Sequence, residues 1–401
     1  MRLLLSTIGT RGDVQPLVAL ALELRDLGQD VRLCVPPDFR DWIDGLGMRV
    51  VTIGPELRKA TAAVPSAASG PPSPEQLRLA AQATVTAQFE TLTAAAEGCD
   101  MIVAATALQI AARSVAELRG IPYVFAAYCP AVLPSPHHAP PPMPGQPPAT
   151  ADNLTLWAED AARFNAMFGD ALNTHRASLG LSPVTDVRSH VFTDQPWLSA
   201  DPTLGPWPEP ADPAVVQTGA WILPDSRPLP PELEEFLEAG EPPIYFGFGS
   251  MRVPGDLAQV VGKSARALGR RAIVSRGWAD LPPVDNDLDC LTIGEINQQS
   301  LFPRVAAIVH HGGAGTTTAA ARSGTPQVIV PQLYDQHYWA HRIHTLGIGT
   351  AHAPGIPTPD SLTTALTQAL HPETTAQAQT LSTQVRTDGT KTTAQRLLTL
   401  K

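Results

Sequence analysis

The segment with the clearest chemical signature combines two histidines with glycines and threonines. Residues His310–Thr317 read HHGGAGTT and come directly after the apolar run 306–309. Glycine lets a backbone approach a ligand closely, and the free N–H groups in the first turn of a helix bind anions. The segment has neither the lysine of a Walker A loop nor GxGxxG spacing. It predicts a phosphate-binding turn that opens a helix, and a glycine turn that serves only tight packing is the alternative.

A carboxylate near the N-terminus is the second candidate. Asp13 follows the short apolar run 3–8 and precedes leucines at helical spacing. A carboxylate at the start of a helix can cap it. The helix dipole also favours the ionised form there, which suits a general base. The residue pattern leaves both roles open.

Two further patterns resemble metal sites. Asp285, Asp287 and Asp289 have DxD spacing in a polar loop, and His337 and His341 stand four residues apart on a predicted helix. The histidines lack the glutamate of HExxH and an evident third ligand. We therefore predict no metal site and no bound cofactor.

Alternating strands and helices must position these residues. In the first half, apolar runs predict strands at 3–8, 31–35, 50–53, 101–105 and 122–127, with helices at 75–97 and 107–119. A second alternating series begins at residue 244. This pattern predicts an α/β protein with two Rossmann-like, doubly wound parallel-sheet domains. The expected ligand site is a cleft between the carboxyl ends of the two sheets.

Proline-rich stretches set the predicted boundaries. We assign 1–205 to an N-terminal domain, 206–243 to a linker, 244–385 to a C-terminal domain and 386–401 to a helix that packs back toward the N-terminal domain. An earlier proline-rich insert at 134–148 cannot be a helix or a central strand. It is either a surface loop or a wall of a binding site.

Composition argues against several partner classes. The chain of 401 residues has 43% apolar and 16% charged residues and a formal net charge of −10. It contains no basic run that could follow a phosphate backbone, so we predict no nucleic-acid partner. It shows neither a signal-peptide pattern nor an apolar stretch long enough to span a bilayer. Its four cysteines lack CxxC spacing, which is typical of free thiols, and we expect a cytoplasmic monomer.

Taken together, the motifs resemble a known enzyme family. HHGGAGTT and the later GTPQVIVPQLYDQ are similar to the nucleotide-diphosphate-sugar signature of family 1 glycosyltransferases. STIGTRGDVQPLVAL resembles the opening of the vancomycin-type glycopeptide and sterol branches. Five further segments favour the glycopeptide branch: LPSPHH, DQPWLSADP, QTGAWILPD, FGFGS and SRGWADL. The resemblance spans essentially the whole chain and implies the GT-B fold, with an acceptor-binding N-terminal domain and a C-terminal domain for the nucleotide sugar.

The resemblance also implies roles for individual residues. Asp13 matches the family's proposed general base. Asp335 and Gln336 match the acid–amide pair that hydrogen-bonds to the hydroxyl groups of the donor sugar. Contacts with the donor's diphosphate are implied for Thr10, Ser250, His310, Gly312, Gly313, Ala314, Gly315 and Thr316.

The residues expected to contact the nucleoside differ from those of the plant members of the family. Those members carry an Asn-Ser pair and a ribose-binding Glu, where this chain has Ala314, Gly315 and Thr318. Their stacking tryptophan is also missing near 294–298. Trp278 and Ile296 are the candidate nucleoside contacts, and a tryptophan of the core or of the interdomain contact is the alternative for Trp278. The base is uracil or thymine.

The resemblance implies an inverting, metal-independent transfer of a hexose. The donor would be a UDP- or dTDP-sugar, and the leading acceptor is a hydroxyl of a glycopeptide antibiotic aglycone or pseudoaglycone. A sterol, a macrolide or another lipid-like acceptor is an alternative. A UDP-sugar 2-epimerase shares the architecture but needs no acceptor, and a non-catalytic nucleotide-sugar binder would not need Asp13.

Overall fold

The computed structural model describes residues 1–59, 73–142, 150–208, 214–251, 257–278, 280–281 and 289–400. Within these residues the chain forms two parallel β-sheets with helices packed on them. This confirms the predicted α/β architecture of two doubly wound domains. None of the described helices is long and apolar enough to cross a membrane.

Seven parallel strands form the first sheet, in the order β3-β2-β1-β4-β5-β6-β7. They are β1 (Arg2–Thr7), β2 (Asp30–Val35), β3 (Arg49–Thr52), β4 (Met101–Ala105), β5 (Tyr123–Ala127), β6 (Trp197–Leu198) and β7 (Val216–Gln217). Successive residues of a strand face opposite sides of the sheet, so Leu3 and Leu5 pack in one core and Leu4 in another. Burial on both faces explains the continuous apolar runs in the sequence.

Six parallel strands form the second sheet, in the order β10-β9-β8-β11-β12-β13. They are β8 (Ile244–Gly247), β9 (Ala272–Ser275), β10 (Cys290–Ile293), β11 (Ala307–His310), β12 (Gln327–Ile329) and β13 (Gly349–Ala351). Here too neighbouring residues face two different cores, with Phe246 on one side and Tyr245 on the other.

Helices connect the strands. Those before β8 are α1 (Arg11–Asp26), α2 (Arg40–Gly45), α3 (Pro74–Ala95), α4 (Ala112–Arg119), α5 (Asn153–Ser178), α6 (Val187–Phe192) and α7 (Pro231–Glu238). Those after it are α8 (Leu257–Ala267), α9 (Gln298–Leu301), α10 (Ala314–Ser323), α11 (Gln336–Thr345), α12 (Pro359–Ala369), α13 (Pro372–Ser382) and α14 (Gly389–Leu397). The C-terminal α14 packs on α1 of the first domain, where Ala394 and Leu397 join its core.

The segment predicted as a linker contains more structure than expected. Strand β7 lies within 206–243 and pairs with β6, so the first sheet extends beyond residue 205. Just after β7, Gly219 meets Gly389, where the chain returns to the first domain. A Cβ atom on Gly389 would lie 2.4 Å from the carbonyl carbon of Gly219, so the two segments touch through glycines.

The strand order of each sheet reverses once along the chain. The reversal falls between β1 and β4 in the first sheet and between β8 and β11 in the second. Ligands of open α/β sheets bind in the crevice at the carboxyl ends of such strand pairs. The turns that follow β1, β8 and β11 are therefore the ones that the fold brings to a binding site.

Candidate active site

A cavity of about 2080 Å³ lies between the two domains. The turns after β1, β8 and β11 all contribute to its lining, and so does α5. Among the residues predicted from sequence, Thr10, Asp13, Ser250, Asp335 and Gln336 line this cavity. Gly313, Ala314, Gly315, Thr316, Trp278 and Ile296 line it as well, whereas His310 and Gly312 do not.

The turn between β1 and α1 holds Asp13 in one orientation. Thr10 is the N-cap of α1, and its backbone N–H donates to Oδ2 of Asp13 at 2.6 Å. Gly9 makes room for this contact, because a Cβ atom there would lie 2.1 Å from the same oxygen. On the other side, the Tyr128 hydroxyl donates to the Asp13 carbonyl at 3.1 Å. The carboxylate therefore caps the start of α1 and still faces the cavity. The two roles left open by the sequence, helix cap and general base, are compatible.

The turn between β11 and α10 separates its two histidines. His310 is fully buried, and its Nδ1 accepts the Gly312 N–H at 3.1 Å. The other ring nitrogen, Nε2, carries the proton and donates to Oε1 of Gln327 at 2.9 Å. Burial lowers the pKa of His310 to about 3. With both ring nitrogens engaged in the core, His310 does not occupy the position predicted for a phosphate contact.

His311 faces the cavity instead. Its ring lies between two glycines, since a Cβ atom on Gly249 would be 3.0 Å from Cε1 and one on Gly313 would be 2.8 Å from Nε2. Burial lowers the pKa of His311 to about 4, so the ring is neutral at pH 7. Gly312, with φ +95°, also has a structural role, because a Cβ atom there would lie 2.7 Å from the side chain of Ile329.

The N-terminus of α10 has no side-chain cap. Gly313 is the N-cap, and the first turn contains no acidic residue. The hydroxyl of Thr317 donates back to the Gly313 carbonyl at 3.0 Å, so its proton is not available to a ligand. The backbone N–H groups of this turn, with the Thr316 side chain beside them, are therefore arranged as a helix end that can accept an anion.

The turn after β8 carries Ser250 and packs against the segment after β9. Trp278 donates its backbone N–H to the Gly249 carbonyl at 2.8 Å. Gly277 permits this approach, because a Cβ atom there would lie 2.4 Å from the same oxygen. The Trp278 ring stacks on Phe39 of the first domain at 6.3 Å, so it lines the cavity and bridges the domains together.

The loop before α11 holds Asp335 and Gln336. Oε1 of Gln336 accepts the backbone N–H groups of Gln332 and Leu333 at 2.8 and 3.1 Å, which fixes the loop. Oδ2 of Asp335 accepts from Nε1 of Trp339 at 3.2 Å. The carboxamide oxygen of Gln336 is thus engaged by its own loop, and its amino group donates to Sδ of Met251 at 3.4 Å. The second amino hydrogen of Gln336 and the Asp335 carboxylate remain for a ligand.

Two carboxyl groups from opposite domains, Asp13 and Asp335, line the cavity and both have raised pKa values. Burial raises the pKa of Asp13 to about 6, and the hydrogen bonds from Thr10 only partly oppose this. Burial, and after it the negative charge of Asp13, raise the pKa of Asp335 to about 6. Both groups are mostly ionised at pH 7 but sit close to the pKa that suits a proton acceptor.

An aromatic wall closes the first-domain side of the cavity. Helix α5 contributes Trp157, Phe164, Met167 and Phe168, and neighbouring elements add Phe125 and Phe192. Nε1 of Trp157 donates to the His138 carbonyl at 2.9 Å, which holds the proline-rich insert against α5. Pro141 of the insert lines the cavity, and residues 143–148 of that insert lie outside the described residues. Helix α5 was missed from the sequence, although Asp152 caps it by accepting the Thr155 N–H.

Known proteins resemble this chain over its full length. The model named glycosyltransferase family 28 N-terminal domain matches residues 3–135, and the erythromycin biosynthesis protein CIII-like C-terminal domain matches 285–398. Vancomycin aglycone glucosyltransferase of Amycolatopsis orientalis is 48% identical over 403 residues, which cover 99% of this chain and 97% of the relative. The chain belongs to the vancomycin-type glycopeptide glycosyltransferases. A second relative from the same organism, dTDP-epi-vancosaminyltransferase, is 45% identical to this glycosyltransferase over 95% of the chain and 93% of the relative.

Solved structures confirm the GT-B fold of this glycosyltransferase. The glycotransferase of kitacinnamycin superposes with a TM-score of 0.73 at 18% identity and covers 99% of this chain and 98% of its own. The glycosyltransferase VinC in complex with dTDP superposes with a TM-score of 0.65 at 22% identity and covers 99% of each chain.

Charged residues also join the two domains of the glycosyltransferase beside the cavity. Arg11, next to Thr10, donates to Oε1 of Glu295 in the second domain at 2.9 Å. Its guanidinium lies 3.6 Å from the ring centroid of Trp42, a cation–π contact. Because Arg11 and Asp13 share one turn, this bridge ties the position of the carboxylate to the second domain.

Asp289 and His341, one residue from each of the patterns that resembled metal sites, have other partners. Asp289 accepts from Arg266 at 2.8 Å, while Asp285 and Asp287 lie outside the described residues. His341 lies 3.5 Å from the Thr345 hydroxyl on its own helix. Among the described residues, no group of three side chains could hold a metal ion.

Proposed function

We propose that this glycosyltransferase moves a hexose from a dTDP- or UDP-sugar to a hydroxyl of a glycopeptide aglycone or pseudoaglycone, with inversion and without a metal. The observation that carries the proposal is the pairing of two turns in one cavity. One turn presents Asp13 with a pKa of about 6, and the other presents the uncapped N-terminus of α10. The names of the relatives support the sugar donor and the acceptor class.

Asp13 acts as the general base. The acceptor hydroxyl gives its proton to Asp13 as its oxygen forms a bond to the anomeric carbon. The bond from that carbon to the diphosphate oxygen breaks on the opposite face, and its electron pair leaves with the diphosphate. Attack opposite the leaving group inverts the anomeric centre.

The second domain stabilises the departing diphosphate. The N–H groups at Ala314, Gly315 and Thr316, with the side chains of Ser250 and Thr10, replace water around the growing negative charge. We assign the histidine of this group to His311 rather than His310, because His311 faces the cavity. Negative charge raises the pKa of a neighbouring histidine, so bound diphosphate favours the charged form of His311.

Asp335 and the amino group of Gln336 form hydrogen bonds with hydroxyl groups of the transferred sugar. Trp278 and Ile296 contact the nucleoside. A dTDP donor is favoured, since a relative is named for dTDP-epi-vancosamine and the VinC structure holds dTDP. All these groups come from one chain, so a monomer contains a complete active site. We place the reaction in the cytoplasm.

The aromatic wall supports a transferase over the alternatives that need no acceptor. A nucleotide-sugar 2-epimerase or a non-catalytic binder has no need of Phe164, Phe168 and Trp157 in the cavity lining, whereas a large acceptor would pack against this wall. The wall also suits a sterol or macrolide, and the identity to the vancomycin enzyme favours a glycopeptide over these.

Mass spectrometry of paired substrates tests the proposal. Nucleotide sugars are combined with glycopeptide aglycones, macrolides and sterols, using the wild-type enzyme and Asp13→Asn. We expect a new glycoside of the glycopeptide and a loss of at least about 10²-fold in kcat for Asp13→Asn with donor affinity retained. A donor that is isomerised or merely bound, with no acceptor modified, would contradict the transferase. Full activity of Asp13→Asn would remove Asp13 as the base.

A further inference from the structure

A charged pair interrupts the aromatic wall on α5. Asp160 and Arg163 stand between Trp157 and Phe164 in the chain, and all four residues line the cavity. Residues three or four positions apart are neighbours on a helix surface, so the pair shares the face of α5 that the aromatic rings occupy. A few polar groups in an otherwise apolar pocket fix the orientation of a ligand.

A second arginine shares the carboxylate of Asp160. Nη2 of Arg163 donates to Oδ1 of Asp160 at 2.6 Å, and Nη1 of Arg188 on α6 donates to Oδ2 at 3.4 Å. No other described carboxylate forms an ion pair with either arginine. The three side chains therefore carry two positive charges and one negative charge, which leaves a net charge of +1 at the wall.

The two arginines differ in how firmly they are held. Arg188 is buried, its guanidinium lies 5.3 Å from the ring centroid of Trp157, and its Nη1 also donates to the Trp157 carbonyl. An unpaired charge in the interior is costly, so Arg188 depends on Asp160. The side chain of Arg163 is 39% exposed, and an exposed ion pair is exchanged at little cost. Arg163 is therefore the cation that can turn to a ligand.

The charge balance favours an anionic ligand over a cationic one. An ammonium group would compete with two arginines for one carboxylate, and both arginines would repel it. A carboxylate would instead pair with Arg163 through two parallel N–H donors. Asp160 would then remain with Arg188, whose Nε proton has no acceptor among the described residues. Each cation would have one carboxylate.

We propose that Arg163 binds a carboxylate of the acceptor, and that Asp160 positions Arg163 at the aromatic wall. The acceptor is favoured over the donor because α5 belongs to the first domain, whereas the anion-binding end of α10 belongs to the second. This inference rests on the proposed function and adds a feature of the acceptor: an apolar body with a carboxylate at its edge. A peptide aglycone with a free C-terminus has this chemistry.

A matched pair of acceptors tests the site. One is a glycopeptide aglycone with a free C-terminal carboxylate, and the other is the same aglycone with that carboxylate converted to a methyl amide. We measure the KM and kcat of each, the Kd of dTDP by calorimetry, and Tm. For the wild-type enzyme, the amide should have a KM about tenfold above that of the carboxylate, because a hydrogen-bonded charge pair is lost.

Two substitutions remove either the charge or the paired donors. Arg163→Gln should raise the KM of the carboxylate acceptor about tenfold, with kcat, the KM of the amide and the dTDP Kd within about twofold of wild type. Arg163→Lys keeps the charge without the planar fork, so its increase should be about threefold. Arg78→Gln is the control, because Arg78 is exposed on α3 outside the cavity lining. It should leave both KM values unchanged.

The comparison of the two acceptors decides the outcome. An unchanged KM of the carboxylate acceptor in Arg163→Gln, or an equal rise for both acceptors, would overturn the site while the transferase stands. A tenfold weaker dTDP Kd would also overturn it, because Arg163 would then belong to the donor site. If the wild-type enzyme glycosylates neither aglycone, the proposed function fails, and the Kd values of the two aglycones test the carboxylate site by the same comparison.

Discussion

The glycosyltransferase contains one local structure twice, with opposite chemistry. Helices α1 and α10 each begin just after a central strand, and both N-termini line the cavity. In α1 the third helical position holds Asp13, which accepts the N–H of the N-cap Thr10. In α10 the same position holds Thr316, and the first turn has no acid. One N-terminus is neutralised by its own chain, and the other is left for an external anion.

The difference separates the two charges that the proposed reaction moves. The α1 turn needs a fixed carboxylate that can take a proton, and the hydrogen bonds from Thr10 orient it. The α10 turn needs unoccupied N–H groups where negative charge develops on the leaving group. A single residue at the third helical position decides which function a turn can have.

The largest effect should come from making the two turns alike. Thr316→Asp places a carboxylate where the diphosphate would bind. Two like charges about 4 Å apart at a protein surface repel by about 4 kcal/mol, a factor of about 10³ in donor affinity. Calorimetry with dTDP measures this loss, and Thr316→Asn is the control of equal shape. Donor binding by Thr316→Asp at wild-type strength would place the diphosphate elsewhere.

Substitutions of the two histidines of the α10 turn should have different effects, on kcat for His311 and on Tm for His310. His311→Ala removes a group that faces the cavity, and we expect kcat to fall about 10²-fold with the fold intact. His310→Ala removes buried hydrogen bonds, so it should lower Tm more than His311→Ala does. Steady-state kinetics and thermal melts of both variants distinguish the roles. Equal kinetic defects at unchanged Tm would return His310 to the diphosphate site.

The pH profile tests the state of Asp13. A base with a pKa of about 6 must be ionised, so kcat/KM should fall about tenfold per pH unit below pH 6. The free energy of unfolding should change with pH in the opposite direction from kcat/KM, because the pKa of Asp13 in the folded state lies above its usual value of 3.8. The contribution of Asp13 to stability is complete below pH 3.8 and is lost as pH rises through 6.

Asp13→Asn should therefore raise Tm at pH 8 by roughly 3 °C, about 1 kcal/mol for domains of this size. A lower Tm for Asp13→Asn would show that the hydrogen bonds from Thr10 outweigh the burial of the charge.

The smallest effect belongs to the bridge between Arg11 and Glu295. An exposed ion pair contributes about 0.2–1 kcal/mol, so Glu295→Gln should raise the donor KM by a factor between about 1.4 and about 5. Added salt should reduce the difference, because it screens exposed charges. Arg25→Gln, which removes an exposed pair with Asp26 outside the cavity, is the control. An effect of Glu295→Gln that persists at 1 M salt would exclude an electrostatic cause.

Much of the fold was predictable, because buried parallel strands leave a local signal. The runs that predicted β1, β4 and β5 are apolar on both faces, since each strand lies between two cores. Helix α5 was missed because its apolar residues line a cavity and are interspersed with charged residues such as Asp160 and Arg163. Strand β7 has two residues in a proline-rich segment, too few for a periodic pattern.

The residues of the site were predicted better than their orientations. Residue types at the starts of α1 and α10 indicated a carboxylate and an anion-binding turn, because glycine, threonine and aspartate act through local backbone geometry. Which histidine faces the cavity depends on where β11 ends, since a shift of one residue exchanges the two sides of a strand.

The sequence by itself determined two doubly wound domains, the chemistry of their turns and the glycosyltransferase family, because these rest on local patterns and motifs. The tertiary structure decided that His311 and not His310 faces the cavity, and that α5 forms an aromatic wall. It also decided that Asp13 lies close enough to Asp335 of the opposite domain for its negative charge to raise the pKa of Asp335. Asp13 and Asp335 are more than three hundred positions apart in the chain, and only the packing of the two domains brings them together.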